Sequence, residues 1–287
     1  MIAKKHKKLD LFGVVNFIIM TFVCLVIIIP FINMLAVSFS DSSAVIAGEV
    51  GLLPVGFNLD TYKKIFSHPS FLDGFKNTFI HTISGTLLGM FMVVICAYPL
   101  SKPDLPGRNF FINVIMVTMY FSGGLIPTYL LVKNLHLIDT IWAIILPFCI
   151  TPYHLLLVMT FFKSIPASLE EAAMLDGLGP IGILVRVVIP MSKPILTTVF
   201  MFLVVYYWNN WFNSMIYLNS NFPVMLVVRN IISGAELAGG NATGMASLSA
   251  ASLKSASIMV TTLPIMALIP FAQKFFVKGV MVGSVKG

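Results

Sequence analysis

Charge is what this 287-residue sequence has least of: its 18 Lys and Arg and 11 Asp and Glu make up only 10% of the chain, against about a quarter in an ordinary globular protein. So few charges cannot cover the surface of a water-soluble fold of this length, which removes the soluble globular classes. Cysteine is scarcer still. Cys24, Cys96 and Cys149 form no CxxC pair, which excludes a disulfide framework and the common thiolate zinc sites. The sequence has no GxxxxGKS/T phosphate loop, no HExxH and no GxSxG, so it carries no recognisable ATP-hydrolysing, metalloprotease or serine-hydrolase centre. Paired carboxylates within apolar stretches are missing too, which argues against a carrier driven by a proton relay.

What is present is apolar. Hydrophobic residues are 58% of the chain and mean hydropathy is +0.95. Roughly 20 apolar residues cross about 30 Å of hydrocarbon, and six stretches satisfy that length: Val14 to Val37, Phe75 to Leu100, Phe110 to Val132, Ile141 to Phe162, Pro194 to Leu218 and Ala256 to Ala272. The expected fold is therefore an all-α membrane protein, one transmembrane domain over 1–287 with six helices. Pro30, Pro127, Pro147, Pro152 and Pro264 fall inside these stretches and predict kinks, tolerated where neighbouring helices satisfy the freed carbonyls. The run after "MIAKKHKK" is too long for a signal peptide and lacks a small-residue cleavage site, so it reads as an uncleaved first helix.

The net charge of +7 does not point to nucleic acid, because the basic residues lie between apolar stretches and are not interleaved with aromatics. It points to membrane lipid and to orientation. With both termini in the cytoplasm, the inner segments hold twelve of the eighteen basic residues and five of the eleven acidic ones, so the whole net charge lies inside, as the positive-inside rule expects. Outward lie residues 38–74, the turn "KNLHLID" and residues 219–255. The last includes "SGAELAGGNATGMASLSAAS", whose small residues suit a mobile loop or a closely packed helix. A cytoplasmic loop of about 164–193 separates the fourth and fifth stretches, and a cytoplasmic tail runs from about 273 to 287.

That loop contains "EEAAMLDGLGPIGILVRVVIP", Glu170 to Pro190. Ser168 is positioned to cap a short helix bearing Glu170 and Glu171 at its positive end. Gly177 and Gly179 permit a tight turn, Pro180 suits the first turn of a second helix, and Pro190 is expected to end it. Ile181, Leu184, Val185 and Val188 recur at helical spacing as an apolar ridge. Such a ridge packs on its own bundle, docks a partner protein or lies on the membrane surface.

The run Glu171, Ala172, Ala173, Gly177, Val187, Ile189 and Pro190 resembles the EAA loop of ABC importer permeases: EAA, three residues, G, nine residues, I, one residue, LP. Val187 stands for the usual Ile and Ile189 for the usual Leu. "IPTYLLVKNLHLIDTIWAIILP", "SIPASLEEAAMLDG", "YYWNNWFN" and "KFFVKGVMVGSVKG" are similar to the carbohydrate-uptake branch, so the likeness covers nearly the whole chain. It implies a subunit of a bacterial cell-membrane importer that forms half a pore with a second homologous permease. It further implies two ATP-binding subunits, which carry ATP and Mg, an extracytoplasmic solute-binding protein, and a sugar or oligosaccharide substrate. This chain would bind no cofactor and would not be an enzyme. Glu170, Glu171, Ala172, Ala173, Asp176, Gly177, Val187, Ile189 and Pro190 would couple to the ATPase, and the tail would reach toward it. A basic tail held by anionic lipid and a secondary carrier or intramembrane enzyme acting alone stay open as alternatives.

Polar residues inside spans mark candidate pathways. Asn209 and Asn213 are four apart and share a face of the fifth stretch, and Trp208, Trp211 and Phe212 flank them as sugar-stacking rings or as an interfacial aromatic belt. His154, beside Thr151, and Asn77, near His81, are the other candidates. Gly85 and Gly89 have the spacing that lets helices approach closely.

Overall fold

A computed structural model describes residues 11–237 and 250–283, with no strand among them. The basic N-terminal run, residues 238–249 of the small-residue stretch and the last four residues lie outside this range. The chain begins with α1 (Leu11–Ser38), α2 (Ser42–Ile46), α3 (Asp60–Ser67) and α4 (Pro69–Ser101). Next come α5 (Arg108–Tyr120), α6 (Leu125–Asn134), α7 (Ile141–Ile145), a 3-10 turn (Leu146–Phe148), α8 (Pro152–Lys163) and α9 (Ala167–Leu175). α10 (Pro180–Ile183), a π turn (Leu184–Val188) and α11 (Ile189–Met191) lead to α12 (Lys193–Trp208), followed by α13 (Trp211–Tyr217), α14 (Val224–Leu237) and α15 (Ala250–Gly283). α15 extends into the expected tail as far as Gly283.

Three helices are individually long and apolar enough to cross a membrane: α1, α4 and α15 over Ala250–Leu268. The other three expected spans are bent pairs, α5 with α6 by 115°, Ile141–Phe148 with α8 by 50°, and Pro180–Met191 with α12 by 83°. Six spans result only if each pair counts as one. The largest bend falls at the glycines preceding α6 and not at Pro127, where the sequence suggested a kink. Gly124 has φ +87°, a left-handed geometry that only glycine adopts cheaply.

The chain divides into two compact units. One comprises the described residues up to His68 and Asn230–Thr262; the other comprises Pro69–Arg229 and the described residues from Leu263. In the first, the segment after α1 folds back through side chains. Asn33 Nδ2 donates to the Gly51 carbonyl at 2.7 Å, Val55 N donates to Ser40 Oγ at 2.9 Å, and Phe39 stacks between Phe57 and Tyr62. Gly56, at φ +62°, lies against the Asp41 carboxylate where a Cβ would stand 2.3 Å from Oδ2.

The second unit is organised on α4. Among its buried positions, Gly74, Thr78, Thr82, the adjacent Gly85 and Thr86, Gly89, Val93, Ala97 and Ser101 return to one face at helical spacing, a stripe of small side chains that lets other helices approach the backbone. A Cβ on Gly85 would lie 2.6 Å from the ring of Tyr207 in α12, and one on Gly89 would lie 3.0 Å from the Cys149 carbonyl oxygen and 3.1 Å from Leu203. The expected close-approach role of both glycines is thus met, and Val93, Val158, Val199 and Leu203 fill the space below them.

Tyr207 is itself fully buried, so its ring cannot swing clear of a methyl group at 85. Gly85→Ala is expected to cost about 1–3 kcal/mol through overpacking, measured as a lower thermal midpoint of the detergent-purified protein, with Gly85→Ala/Tyr207→Leu recovering part of the loss.

Candidate functional site

Within loop 164–193, α9 is closed by a Schellman turn. Leu178 N donates to the Ala173 carbonyl at 3.0 Å and Gly177 N to the Met174 carbonyl at 3.0 Å, with Gly177 at φ +82° in the position where helices place a left-handed glycine. Ala173 is buried and Leu178 packs on the same core. Pro180 does open the next helix, as expected. Ser168 does not cap α9: the cap position belongs to Pro166, which offers no side-chain acceptor.

Pro190 does not end the second helix either. The π turn over Leu184–Val188 precedes it, with Ile189 N donating to the Leu184 carbonyl, and the chain continues helically to Met191 before turning at Ser192. This wide turn accommodates a proline that has no N–H for the i−4 bond. It also shifts the phase of the apolar ridge. Ile183 and Val188, five residues apart, are both fully buried, while Ile181 is 79% exposed and Val185 is exposed as well, so the ridge expected at 3.6-residue spacing is split between two faces. Met174, Leu175 (90% exposed) and Ile181 form an outward apolar set beside Glu171, Ala172 and Asp176, which are also exposed. Val187 and Ile189 are half-buried against the core.

The two consecutive glutamates differ. Glu171 is exposed, whereas Glu170 is buried and ion-paired with Lys102, the residue that follows α4. The Lys102 ammonium also lies over the Tyr98 ring, 4.6 Å from its centroid, and the Tyr98 hydroxyl is near the Glu170 carboxylate. The sequence offered no sign of this cluster, because 68 residues separate the paired charges.

The pathway candidates do not share one face. α12 ends at Trp208 and α13 begins at Trp211, so Asn209 lies in the break between them and Asn213 on α13. Asn209 Nδ2 turns back to the Val205 carbonyl at 2.8 Å, a side-chain competitor for the helix ladder of the kind that asparagine provides. Asn213 Nδ2 donates to Tyr206 Oη at 3.2 Å. Trp208 is only 3% exposed and packs edge-on against Phe79 of α4. Trp211 carries Arg229 over its ring at 4.8 Å. His154 stacks on Phe202, with its Nδ1 buried and unpartnered, and Thr151 caps α8 by accepting from His154 N at 3.4 Å. Asn77 donates to the Phe222 carbonyl at 3.2 Å and lines an open cleft with Asp73, Lys76 and Asn221. Buried Asn210 has an amide without a partner at the α12–α13 break, a polar position that the sequence reading passed over.

A further polar node joins the turn after α6 to the loop after α13. Asp139 holds a left-handed φ of +61°, and its backbone N donates to the Tyr217 carbonyl at 2.8 Å. Its carboxylate accepts from Asn219 N at 2.9 Å, Ser220 N at 2.8 Å and Ser220 Oγ at 3.1 Å. The N–H of Asn219, then that of Ser220, hold this carboxyl below its ordinary range, since they bond the charged form.

No family model matches the sequence. The chain is 39% identical to Protein LplC of Bacillus subtilis (strain 168), over 96% of this chain and 95% of that one. It is 38% identical to the polygalacturonan/rhamnogalacturonan transport system permease protein YtcP of the same organism, over 92% and 94%. Its fold superposes with a TM-score of 0.85 and 31% identity on the crystal structure of a bacterial ABC transporter involved in the import of the acidic polysaccharide alginate, covering 96% of this chain and 99% of that one.

Because Asp139 is more acidic in the fold than its ordinary value near 3.9, the clasp contributes fully above that value and is lost as pH falls through the depressed one. Hydrogen–deuterium exchange, corrected for intrinsic rates, is expected to show the Asn219 and Ser220 amides protected at neutral pH and released only in strong acid. Asp139→Ala should release them at every pH. Asp139→Asn, which tolerates the left-handed backbone, should weaken protection without abolishing it.

Proposed function

Because the chain belongs to the sugar-importing ABC transporter permeases of the bacterial cell membrane, we propose that it forms half of the translocation pore of an ATP-driven importer and is moved through its loop 164–193. A second homologous permease supplies the other half, and an extracytoplasmic binding protein delivers the substrate. ATP and Mg are held by two ATPase subunits. The chain itself acts mechanically and not as an enzyme.

One observation carries the coupling reading: a glycine-closed helix turn that leaves Met174, Leu175 and Ile181 exposed beside Glu171 and Ala172, at the spacing of the EAA motif. Exposed apolar surface rimmed by polar groups marks an interaction site, and the ridge-and-acid pattern suits a groove on a partner protein. Closure of the ATPase pair would push α9 and the segment ending at Pro190, and the 83° bend between Pro180–Met191 and α12 would carry that displacement into the helix packed on α4. In this reading both termini and the loop are cytoplasmic, and each bent helix pair is one span. Val187 and Ile189 anchor the segment to its own core, exposed Pro190 closes it, and Asp176 completes the acidic rim.

The substrate reading is an oligosaccharide. Polygalacturonan/rhamnogalacturonan and alginate, named for two relatives, make acidic oligosaccharides the first to test. Asn77, His154, Asn209, Asn213, Trp208 and Trp211 remain proposed pathway residues, reached as the helices rearrange.

Two measurements test this. The chain purified from its native membrane should bring with it an ATPase and a second permease, and uptake of labelled oligogalacturonides should require all three. Gly177 has open space where a Cβ would go, so a substitution there acts through backbone strain of about 1–2 kcal/mol. Gly177→Val is expected to reach the membrane in normal amount yet abolish uptake, with Gly177→Asn retaining most of it; normal uptake by the Val variant would sink the coupling role of this turn.

A further inference from the structure

Two oppositely directed helix ends meet at the base of α4. The last turn of α4 is followed immediately by Lys102, whose backbone N still donates to the Pro99 carbonyl at 3.0 Å, and the first turn of α9 contains Glu170. A cation at a helix C-terminus and an anion at a helix N-terminus each answer the local dipole. Here the two charges also answer each other. Glu170 is only 10% exposed at its side chain and Lys102 33%, so the pair is largely withdrawn from water and poorly screened. Tyr98 completes the cluster, with its ring under the ammonium and its hydroxyl near the carboxylate. Nearby, Arg108 Nε donates to the Leu100 carbonyl at 2.8 Å and so fixes the remaining end of α4. Burial leaves the Glu170 carboxylate unable to reach a partner subunit, and this separates its task from that of exposed Glu171.

We propose that Lys102, Glu170 and Tyr98 form a latch that binds the coupling helix α9 to α4 so that the two move as one body, which makes Lys102 a positioning residue for transport. A buried ion pair of this kind is weak as a source of stability but strong as a determinant of which elements stay paired, because removing either partner strands the other charge. α4 carries the small-residue stripe on which α12 packs. A displacement of α9 transmitted rigidly to α4 therefore reaches the centre of its unit, whereas an unlatched α9 would tilt on its own. The inference rests on the coupling reading of loop 164–193.

The test uses the whole importer in proteoliposomes with its binding protein, reading substrate uptake and ATP hydrolysis together. Lys102→Met and Glu170→Gln are expected to co-purify with the ATPase subunits and to hydrolyse ATP, while substrate moved per ATP falls by about tenfold; Lys102→Arg should stay near the native ratio. A second variant guards against simple misfolding. In a chain whose Cys24, Cys96 and Cys149 are replaced by Ala, Lys102→Cys/Glu170→Cys joined by a short, reducible thiol cross-linker should regain coupled uptake and lose it again on reduction. A native transport ratio in the single variants, or uptake blocked by the cross-link, overturns the latch while leaving the coupling reading standing. A native chain that purifies without an ATPase overturns both.

Discussion

Everything in the larger unit depends on how closely other helices can approach the backbone of α4. In a bilayer, apolar side chains gain little by leaving lipid for protein, so helix association relies on contact area and on small residues that permit it. Gly85 and Gly89 provide that approach, and the ring of Tyr207 and the side chain of Leu203 occupy the space their missing Cβ atoms leave. The two flanking threonines, Thr82 and Thr86, are buried in the same stripe. α12 is held so tightly that the bend before it and the break after it become the places where the chain can change direction.

Several of the few charges this protein has act where helices end. Lys102 and Glu170 join the ends of α4 and α9. Asp139 gathers three donors from the loop after α13, and Arg229 covers the Trp211 ring at the start of α13. These charges act at helix ends, where they cost less to hydrate, and the interior of the unit holds uncharged polar groups such as Thr82 and Thr86 beside its apolar ones.

Much of the fold was legible in the sequence, and the parts that were not share a cause. Apolar length found α1, α4 and the last helix, and motif spacing found the turn at Gly177, because both are local signals. The 50° bend between Phe148 and Pro152 falls at the prolines that suggested it, whereas the bend at Gly124 and the break at Asn209 and Asn210 lie at positions where hydropathy carries no signal. The ridge 181–188 was read at 3.6 residues per turn, and a π turn of five residues defeated that arithmetic. Glu170 looked like its neighbour until the fold brought Lys102 to it, since no local pattern announces a partner 68 positions away.

The adjacent glutamates thereby acquire separate histories. Position 170 has its counterpart in the same polypeptide, so a replacement there can be compensated by a change at position 102 within one gene, and the two are inherited together. Exposed Glu171 makes no such ion pair among the described residues. Among related chains, columns 102 and 170 should drift as a pair, while column 171 follows whatever surface it faces.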